Sequence, residues 1–139
     1  MIQKSVAWLA VLLMLLAGFV FGKATGKAGP EKNAGLCFKT LGLTPLKGEI
    51  PDVEGSSLRM RLITVEPGGH TALHVHQDRP GIVYVVSGAV YNHPKGKKVT
   101  QVRAGEVFCE TQGYTHYIEN RGEVSATLIS ADIVTRPER

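Results

Sequence analysis

Three histidines have the residue type and the spacing of a metal site. His74 and His76 are separated by one residue, in a segment whose sequence predicts a short strand. Because side chains alternate between the two faces of a strand, both imidazoles point to the same side. His116 follows the Gln112-Gly113 turn, at the start of a later predicted strand. Three neutral imidazoles suit Fe(II), Ni(II), Zn(II), Cu(II) or Mn(II), so the sequence predicts that these residues hold a divalent transition metal.

The other candidate residues have simpler interpretations. No Ser/His/Asp or Cys/His nucleophilic arrangement can be recognised, so any chemistry would rest on the ion. We interpret His70 as a rim residue and His93 as a solvent-exposed residue of a hairpin tip. Arg59 and Arg61 share one face of their strand and could receive an anionic ligand, but a solvated outer face is the simpler interpretation.

Short strands are the elements that must position the histidines. Alternating or β-branched segments predict strands over residues 58–66, 71–76, 82–86, 89–92, 99–103, 106–110, 115–119 and 125–134. Turns containing glycine separate them, and the chain has 16 Gly and 7 Pro, which favour tight turns over long helices. With no helical stretch after the N-terminal segment, the pattern predicts an all-β antiparallel barrel or sandwich.

Two motifs in these strands resemble those of the cupin superfamily, and the resemblance covers roughly residues 58–134. The matching positions of the first motif are Gly68, His74, His76 and Gly88. Those of the second are Gly105, Gly113, His116 and Asn120, with Thr111 in place of a proline. The resemblance implies an antiparallel double-stranded β-helix, the jelly-roll barrel of cupins.

One position departs from the cupin pattern. The glutamate ligand of the first motif would fall at Gly81, or at Pro80 with the shorter spacing, and neither residue can bind a metal through its side chain. Gln77 or Glu110 could supply a replacement ligand.

The resemblance implies two classes of function. Some cupins have three-histidine iron sites, among them thiol dioxygenases and diketone-cleaving dioxygenases, whereas others have lost the metal and serve as binding barrels. The first hypothesis is therefore a mononuclear metal-dependent oxygenase, with Fe(II) favoured, that acts on a small molecule. The alternative is a non-catalytic module that binds a ligand or a metal.

The N-terminal segment resembles an export signal. The chain has 139 residues, enough for one domain, and Lys4 precedes an uninterrupted apolar run over residues 5–22. Small residues at Gly22 and Ala24 favour cleavage after Ala24, and a retained membrane anchor is the alternative. We therefore expect a signal peptide at 1–24, a linker at 25–35, a barrel at 36–139, and a periplasmic or secreted location.

Charge and cysteine content limit the partners. The net charge of +4 comes partly from the signal, because residues 25–139 hold 14 basic and 12 acidic residues. We therefore expect no nucleic-acid partner and no membrane contact except through an uncleaved N-terminal segment. Cys37 and Cys109 could form a disulfide or remain two buried thiols. A homodimer through edge strands is expected from the resemblance, and the arm 36–50 could swap onto a neighbour.

Overall fold

A computed structural model describes residues 28–53 and 55–135 as nine antiparallel strands, with no helix among the described residues. The strands are β1 (Ala34–Pro45), β2 (Ser57–His70), β3 (His74–His76), β4 (Gly81–Ser87), β5 (Ala89–Pro94), β6 (Thr100–Arg103), β7 (Val107–Glu110), β8 (Tyr114–Glu119) and β9 (Ala126–Val134). The expected signal peptide at 1–24 lies outside the described residues.

The strands curl into a nearly closed barrel. Their hydrogen-bonded order is β6-β5-β8-β2-β9-β4-β7, and β1 is added to β2 while β3 is added to β8. The wall made by β1, β2, β9, β4 and β7 faces the wall made by β6, β5, β8 and β3. A single Cα pair, His70 with Glu119, joins β2 to β8 where the two walls meet. The prediction of an all-β antiparallel barrel is confirmed.

The interior of the barrel has an apolar core at one end and buried polar residues at the other, and alternate residues of each strand face it. Along β9, Leu128, Ser130 and Asp132 are all buried, whereas the residues between them are less buried. The apolar core consists of Ile63, Val65, Val83, Val85, Val90, Val102, Ile118, Ala126 and Leu128. Because core residues occupy only part of the interior, the opposite end of the barrel is free to hold polar groups.

Strand register sets the polar side chains in rows across one wall. Arg59 of β2 pairs with Asp132 of β9, Asp132 pairs with Gly81 of β4, and Gly81 pairs with Glu110 of β7. The next row toward the core consists of Arg61, Ser130, Val83 and Phe108. Neighbouring strands are about 4.8 Å apart, so side chains in one row are in direct reach of one another.

The N-terminal arm folds onto its own barrel. β1 pairs along β2 of the same chain, from Ala34 opposite His70 to Pro45 opposite Ser57. The strand begins inside the range expected to be a linker, and just before it the Pro30 carbonyl accepts a hydrogen bond from the Leu73 N–H. The sequence predicts that β2 ends at residue 66, but the strand continues to His70. In this extension a Cβ on Gly69 would lie only 2.5 Å from the Gly35 carbonyl oxygen, and glycine permits the close approach of the two strands.

The outer surface of the wall made by β2, β9, β4 and β7 is apolar. Met60, Ile82, Tyr84 and Val107 each expose more than two fifths of their surface. Cys37 on β1 and Cys109 on β7 are exposed and free, so the two thiols are neither paired nor buried. Within the part of the chain that the structure describes, no helix is long and apolar enough to span a membrane.

Candidate metal centre

The structure brings His74, His76 and His116 together. His74 and His76 are the first and last residues of β3, and His116 on β8 is the residue that pairs with His74. The Nε2 atoms of His74 and His76 are 3.0 Å apart, and those of His76 and His116 are 3.2 Å apart. His76 and His116 are buried and His74 is partly buried. The i, i+2 spacing and the cross-strand pairing thus place three rings around one point.

The hydrogen bonds of the three rings determine which nitrogen carries the proton. Each Nδ1 atom lies beside an oxygen acceptor: the Ala72 carbonyl at 2.9 Å from His74, the Arg79 carbonyl at 3.1 Å from His76, and Asn92 Oδ1 at 2.8 Å from His116. In a neutral imidazole only one nitrogen carries hydrogen, so each Nδ1–H donates outward. The three Nε2 lone pairs therefore face the shared point.

Glu110 supplies the carboxylate of the cluster. Its Oε1 atom is 3.3 Å from His116 Nε2 and 3.5 Å from His76 Nε2. One ligand atom from each of the four residues lies within 4.8 Å of all the others. Of the two possible replacement ligands, Glu110 is in the cluster, whereas Gln77 is exposed and is not among the residues that line the cavity.

Gly81 leaves the space that Glu110 occupies. A Cβ built on Gly81 would lie 3.1 Å from Glu110 Oε2 and 3.1 Å from Asp132 Cβ. The glutamate expected at position 81 is therefore replaced by a glutamate on the neighbouring strand, whose side chain extends over the glycine. The carboxylate comes from β7 instead of β4, and it still reaches the same histidines.

Burial and nearby groups favour, for His74, His76 and Glu110, the protonation states in which these residues bind a cation. Burial lowers the pKa of His74 and of His76, so both rings resist protonation. Burial by itself raises the pKa of the Glu110 carboxyl, but its contact with His116 and the proximity of His76 and His74 outweigh burial and leave that pKa below its usual value. Neutral imidazoles and an ionised carboxylate are the forms in which these residues bind metals.

The donor set fits a transition metal. Lone pairs on neighbouring nitrogens repel when no hydrogen or cation lies between them, yet the Nε2 atoms are 3.0 and 3.2 Å apart. Metal–nitrogen bonds of about 2.0–2.1 Å would place adjacent ligands of an octahedral ion about 3.0 Å apart. The three nitrogens and the carboxylate could therefore hold one ion without rearrangement.

The cluster lies in the wall of a cavity of about 520 Å³. Arg61, Arg79 and Ser130 also line this cavity, together with apolar residues that include Phe38 and Phe108. The interpretation of Arg59 and Arg61 as a solvated outer face is wrong, because Arg59 is buried against Asp132 and Arg61 lines the cavity. The outer face of β2 instead carries apolar residues.

Two further histidines lie outside the cluster. His70 is the last residue of β2, where its Nδ1 atom is 3.3 Å from the Gly68 carbonyl. His93 is not solvent-exposed as expected, because its side chain is only 11% exposed, contacts Glu119 at 2.7 Å and stacks on Tyr117. The pairing of β5 with β8 brings these side chains together, and nothing in the hairpin sequence indicated it.

The side chains and carbonyls that orient the histidines were not predicted from the sequence. Asn92 accepts from His116 through Oδ1 and donates through Nδ2 to Tyr114 Oη at 2.9 Å. The Arg79 carbonyl belongs to the loop between β3 and β4, in which the Asp78 backbone N–H and carboxylate both bond the Gln112 side-chain amide. Asn92 and Gln112 come from other parts of the chain, so the contacts of these two residues depend on the tertiary fold.

Comparisons with known proteins agree with the geometry. A family model described as a cupin domain matches residues 61–132. Germin-like protein 5-1 of Oryza sativa subsp. japonica is 30% identical over 119 residues, which are 81% of this chain and 51% of the rice protein. The oxalate-binding protein of Thermotoga maritima is 33% identical over 76 residues, covering 55% of this chain and 60% of that protein. The chain spans about half the length of the rice relative.

Solved structures share the fold at low identity. A cupin-2 domain protein of Rhodospirillum rubrum superimposes with a TM-score of 0.59 at 16% identity, covering 76% of this chain and 64% of that one. A recombinant oxalate oxidase in complex with glycolate has a TM-score of 0.55 at 23% identity, covering 72% and 54%. With two motifs, a barrel and a matching family model over the same residues, the chain belongs to the cupin domain family.

Proposed function

We propose that this chain is a mononuclear metalloprotein that binds Fe(II) through His74, His76, His116 and Glu110 and acts as an oxygenase on a small molecule. The observation that carries the proposal is the convergence of three histidine Nε2 atoms and one carboxylate in a cavity wall. When bound, iron would supply redox chemistry with dioxygen and polarise a substrate oxygen. The single carboxylate would offset one of the two positive charges of the ion.

The chain's own residues would prepare the site. The Nδ1 acceptors hold each imidazole in one tautomer and one orientation, which keeps the Nε2 lone pairs available. Ile63, Val83 and Phe108 form the apolar part of the cavity wall, where they limit access of water and strengthen electrostatic interactions. The cavity that adjoins the four residues would position the substrate beside the ion.

A binding module without turnover is the second candidate. A relative is named as an oxalate-binding protein, and the same four residues and cavity would serve a protein that only captures a metal with its ligand. The two candidates share the metal centre and differ only in the reaction with dioxygen.

Metal content separates both candidates from a metal-free barrel. The full chain, purified without chelators, should contain about one transition-metal ion per chain by elemental analysis, and His116→Ala should remove most of it. His70→Ala is the matched control, because His70 lies outside the cluster. A purified protein that holds no metal, and takes up none on titration, would overturn the proposal.

Oxygen consumption separates the enzyme from the binding module. We expect anaerobically reconstituted Fe(II) protein to consume dioxygen with at least one member of a panel of thiols, diketones, flavonols and oxalate. Full iron occupancy without oxygen uptake on the whole panel would favour the binding module.

Location and assembly are further parts of the proposal. We propose that the chain is exported to the periplasm or secreted, and that two copies associate. The apolar outer face around Met60, Ile82 and Val107 supports a homodimer, since large exposed apolar patches are typical of interfaces. Cell fractionation and the N-terminal mass of the exported protein test export and cleavage, and light scattering after gel filtration tests the dimer. A molecular mass equal to that of one chain at every concentration measured would contradict the dimer.

A further inference from the structure

Three arginines cluster around Asp132, and two of them, Arg61 and Arg79, line the same cavity as the metal centre. Arg59 binds the Asp132 carboxylate with two bonds of 3.1 and 2.8 Å. Arg61 Nη2 and Arg79 Nε each lie 3.6 Å from Asp132 Oδ2. The bidentate pair with Arg59 occupies the carboxylate, and the longer contacts hold the other two guanidinium groups close to each other. Asp132 therefore acts as an anchor for cationic groups that line the cavity.

Arg79 is the guanidinium group best placed to receive a ligand. Its side chain is 30% exposed and lines the cavity. Across the described residues, its guanidinium contacts Asp132 at a distance beyond a hydrogen bond, and no protein acceptor bonds it. The planar donors of an arginine match the oxygens of a carboxylate or a phosphate. A cationic group in this position is suited to a ligand anion.

Ser130 provides an independent sign of a missing partner. Its side chain is 2% exposed, lines the cavity, and its Oγ atom has no hydrogen-bond partner among the described residues. A buried hydroxyl without a partner costs about 1–3 kcal/mol, so natural proteins rarely retain one without reason. Ser130 pairs with Arg61 in the row next to Asp132, so its hydroxyl adjoins the arginine cluster.

Asp132, which anchors the arginines, and Glu110 of the metal centre approach each other across Gly81. Glu110 Oε2 and Asp132 Cβ each lie 3.1 Å from the Cβ position built on Gly81. Glu110 belongs to the metal cluster, and Asp132 anchors the arginines. A ligand that contacts both sites therefore needs only a short chain between its two polar ends. The cavity volume of about 520 Å³ is ample for such a molecule, since ligand pockets span about 300–1,000 Å³.

We propose that the ligand is a small two-ended acid: one end chelates the metal, and a second anionic group, a carboxylate or a phosphate, binds Arg79 with help from Arg61 and Ser130. This inference rests on the proposed metal centre, and it adds the chemical class of the ligand. Malate, which has a 2-hydroxy acid at one end and a carboxylate at the other, is a molecule of this class. Arg79 fixes the orientation of the ligand and selects against acids that lack the second anion.

Matched pairs of probes test the second anionic group. The full chain is loaded with Ni(II), which avoids oxidation, and its metal content is measured first. Malate and 2-hydroxybutanoate carry the same 2-hydroxy acid, but only malate has a distal carboxylate; 3-phosphoglycerate and glycerate form the corresponding pair for phosphate. Calorimetric titration should give at least one dianionic probe a Kd at least about 10-fold lower than its partner, as expected for charged hydrogen bonds.

Variants assign the effect to residues. Arg79→Gln should abolish the difference within the pair and leave both the affinity for 2-hydroxybutanoate and the metal content unchanged. Arg79→Lys should retain part of the difference, because the charge remains but the paired donors are lost. Ser130→Ala should weaken the dianionic probe about 2- to 10-fold. Arg103→Gln is the control, because Arg103 is exposed on β6 and lies outside the cavity.

The outcomes distinguish the two levels of the proposal. A protein that takes up no metal overturns the proposed function and this inference together. A metal-loaded protein that binds both members of each pair equally, or binds none of the probes, overturns the inference alone. A difference that persists in Arg79→Gln overturns the assignment to Arg79.

Discussion

Replacing Glu110 with glutamine removes the negative charge of the metal centre and little else. Glutamine has almost the same shape as glutamate, so the clearance over Gly81 and the strand pairing should survive. Loss of groups that only orient metal ligands costs about 10- to 100-fold in metal affinity. Because Glu110 lies 3.3 and 3.5 Å from two histidine nitrogens, within the cluster itself, we expect a loss of at least about 100-fold.

This loss should be visible in thermal stability. Free metal at about 1,000 times Kd stabilises the folded protein by about 4.1 kcal/mol, whereas a 100-fold weaker site at the same metal concentration gains only about 1.4 kcal/mol. In a barrel of roughly 100 residues, each kcal/mol corresponds to about 4–8 °C in Tm. The rise in Tm on adding metal should therefore be smaller in Glu110→Gln by about 10 °C or more.

Thermal melts in a buffered series of Zn(II) or Ni(II) concentrations provide the measurement. Glu123→Gln is the control, because Glu123 is exposed and lies outside the cluster. The double variant Gly81→Glu with Glu110→Gly moves the carboxylate to the neighbouring strand and should recover most of the metal-dependent rise. If Glu110→Gln keeps the full rise in Tm, the carboxylate is not a ligand, and the interpretation that Glu110 replaces a glutamate at position 81 is refuted.

Three other changes test the surroundings of the site. Asn92→Ala removes the acceptor of His116 Nδ1 and should weaken metal binding about 10- to 100-fold, measured by competition with a chelating dye; unchanged affinity would argue against an orienting role. Burial lowers the pKa of His74 and His76, so as pH falls below about 6.5 the unfolded chain takes up protons that the folded protein resists. The metal-free protein should therefore be less stable to urea at pH 5.5 than at pH 7.5, and greater stability at pH 5.5 would contradict the neutral tautomers. Leu128→Ala empties a fully buried position of the core and should cost about 2–5 kcal/mol in the free energy of unfolding, measured by urea denaturation; a loss below about 1 kcal/mol would show a loosely packed core.

The histidine cluster could be predicted because its geometry is local to the strands. An i, i+2 pair points to one side of any strand, so the sequence was enough to place His74 and His76 on a common face. The strand that carries His116 was predicted from its own pattern and the preceding turn, and the cupin motifs supported its place beside the pair. The fold followed from the same motifs and from the spacing of turns.

Alternation alone could not predict which face of a strand points into the barrel. In β2, Leu58 and Met60 alternate with Arg59 and Arg61, and the usual preference places apolar residues inside. The structure has the opposite arrangement, because Asp132 on β9 offers a buried partner for Arg59. A pattern of period two shows which residues share a face, but the identity of the inner face depends on what the neighbouring strand presents.

The carboxylate could be considered but not assigned, since it depends on register between strands. Glu110 follows Gly81 by a long stretch of chain, and only the pairing of β4 with β7 makes them neighbours. Asn92 and Ser130 reach the site through similarly distant pairings. These contacts depend on the closure of the barrel, which no local segment encodes.

The space over Gly81 makes positions 81 and 110 alternatives for a single occupant. A side chain on residue 81 would begin 3.1 Å from the Glu110 carboxylate, so an acidic group at both positions would crowd two negative charges into one gap. The centre therefore has room for one acid at a time, and a chain that lacks both would keep a centre of three histidines alone.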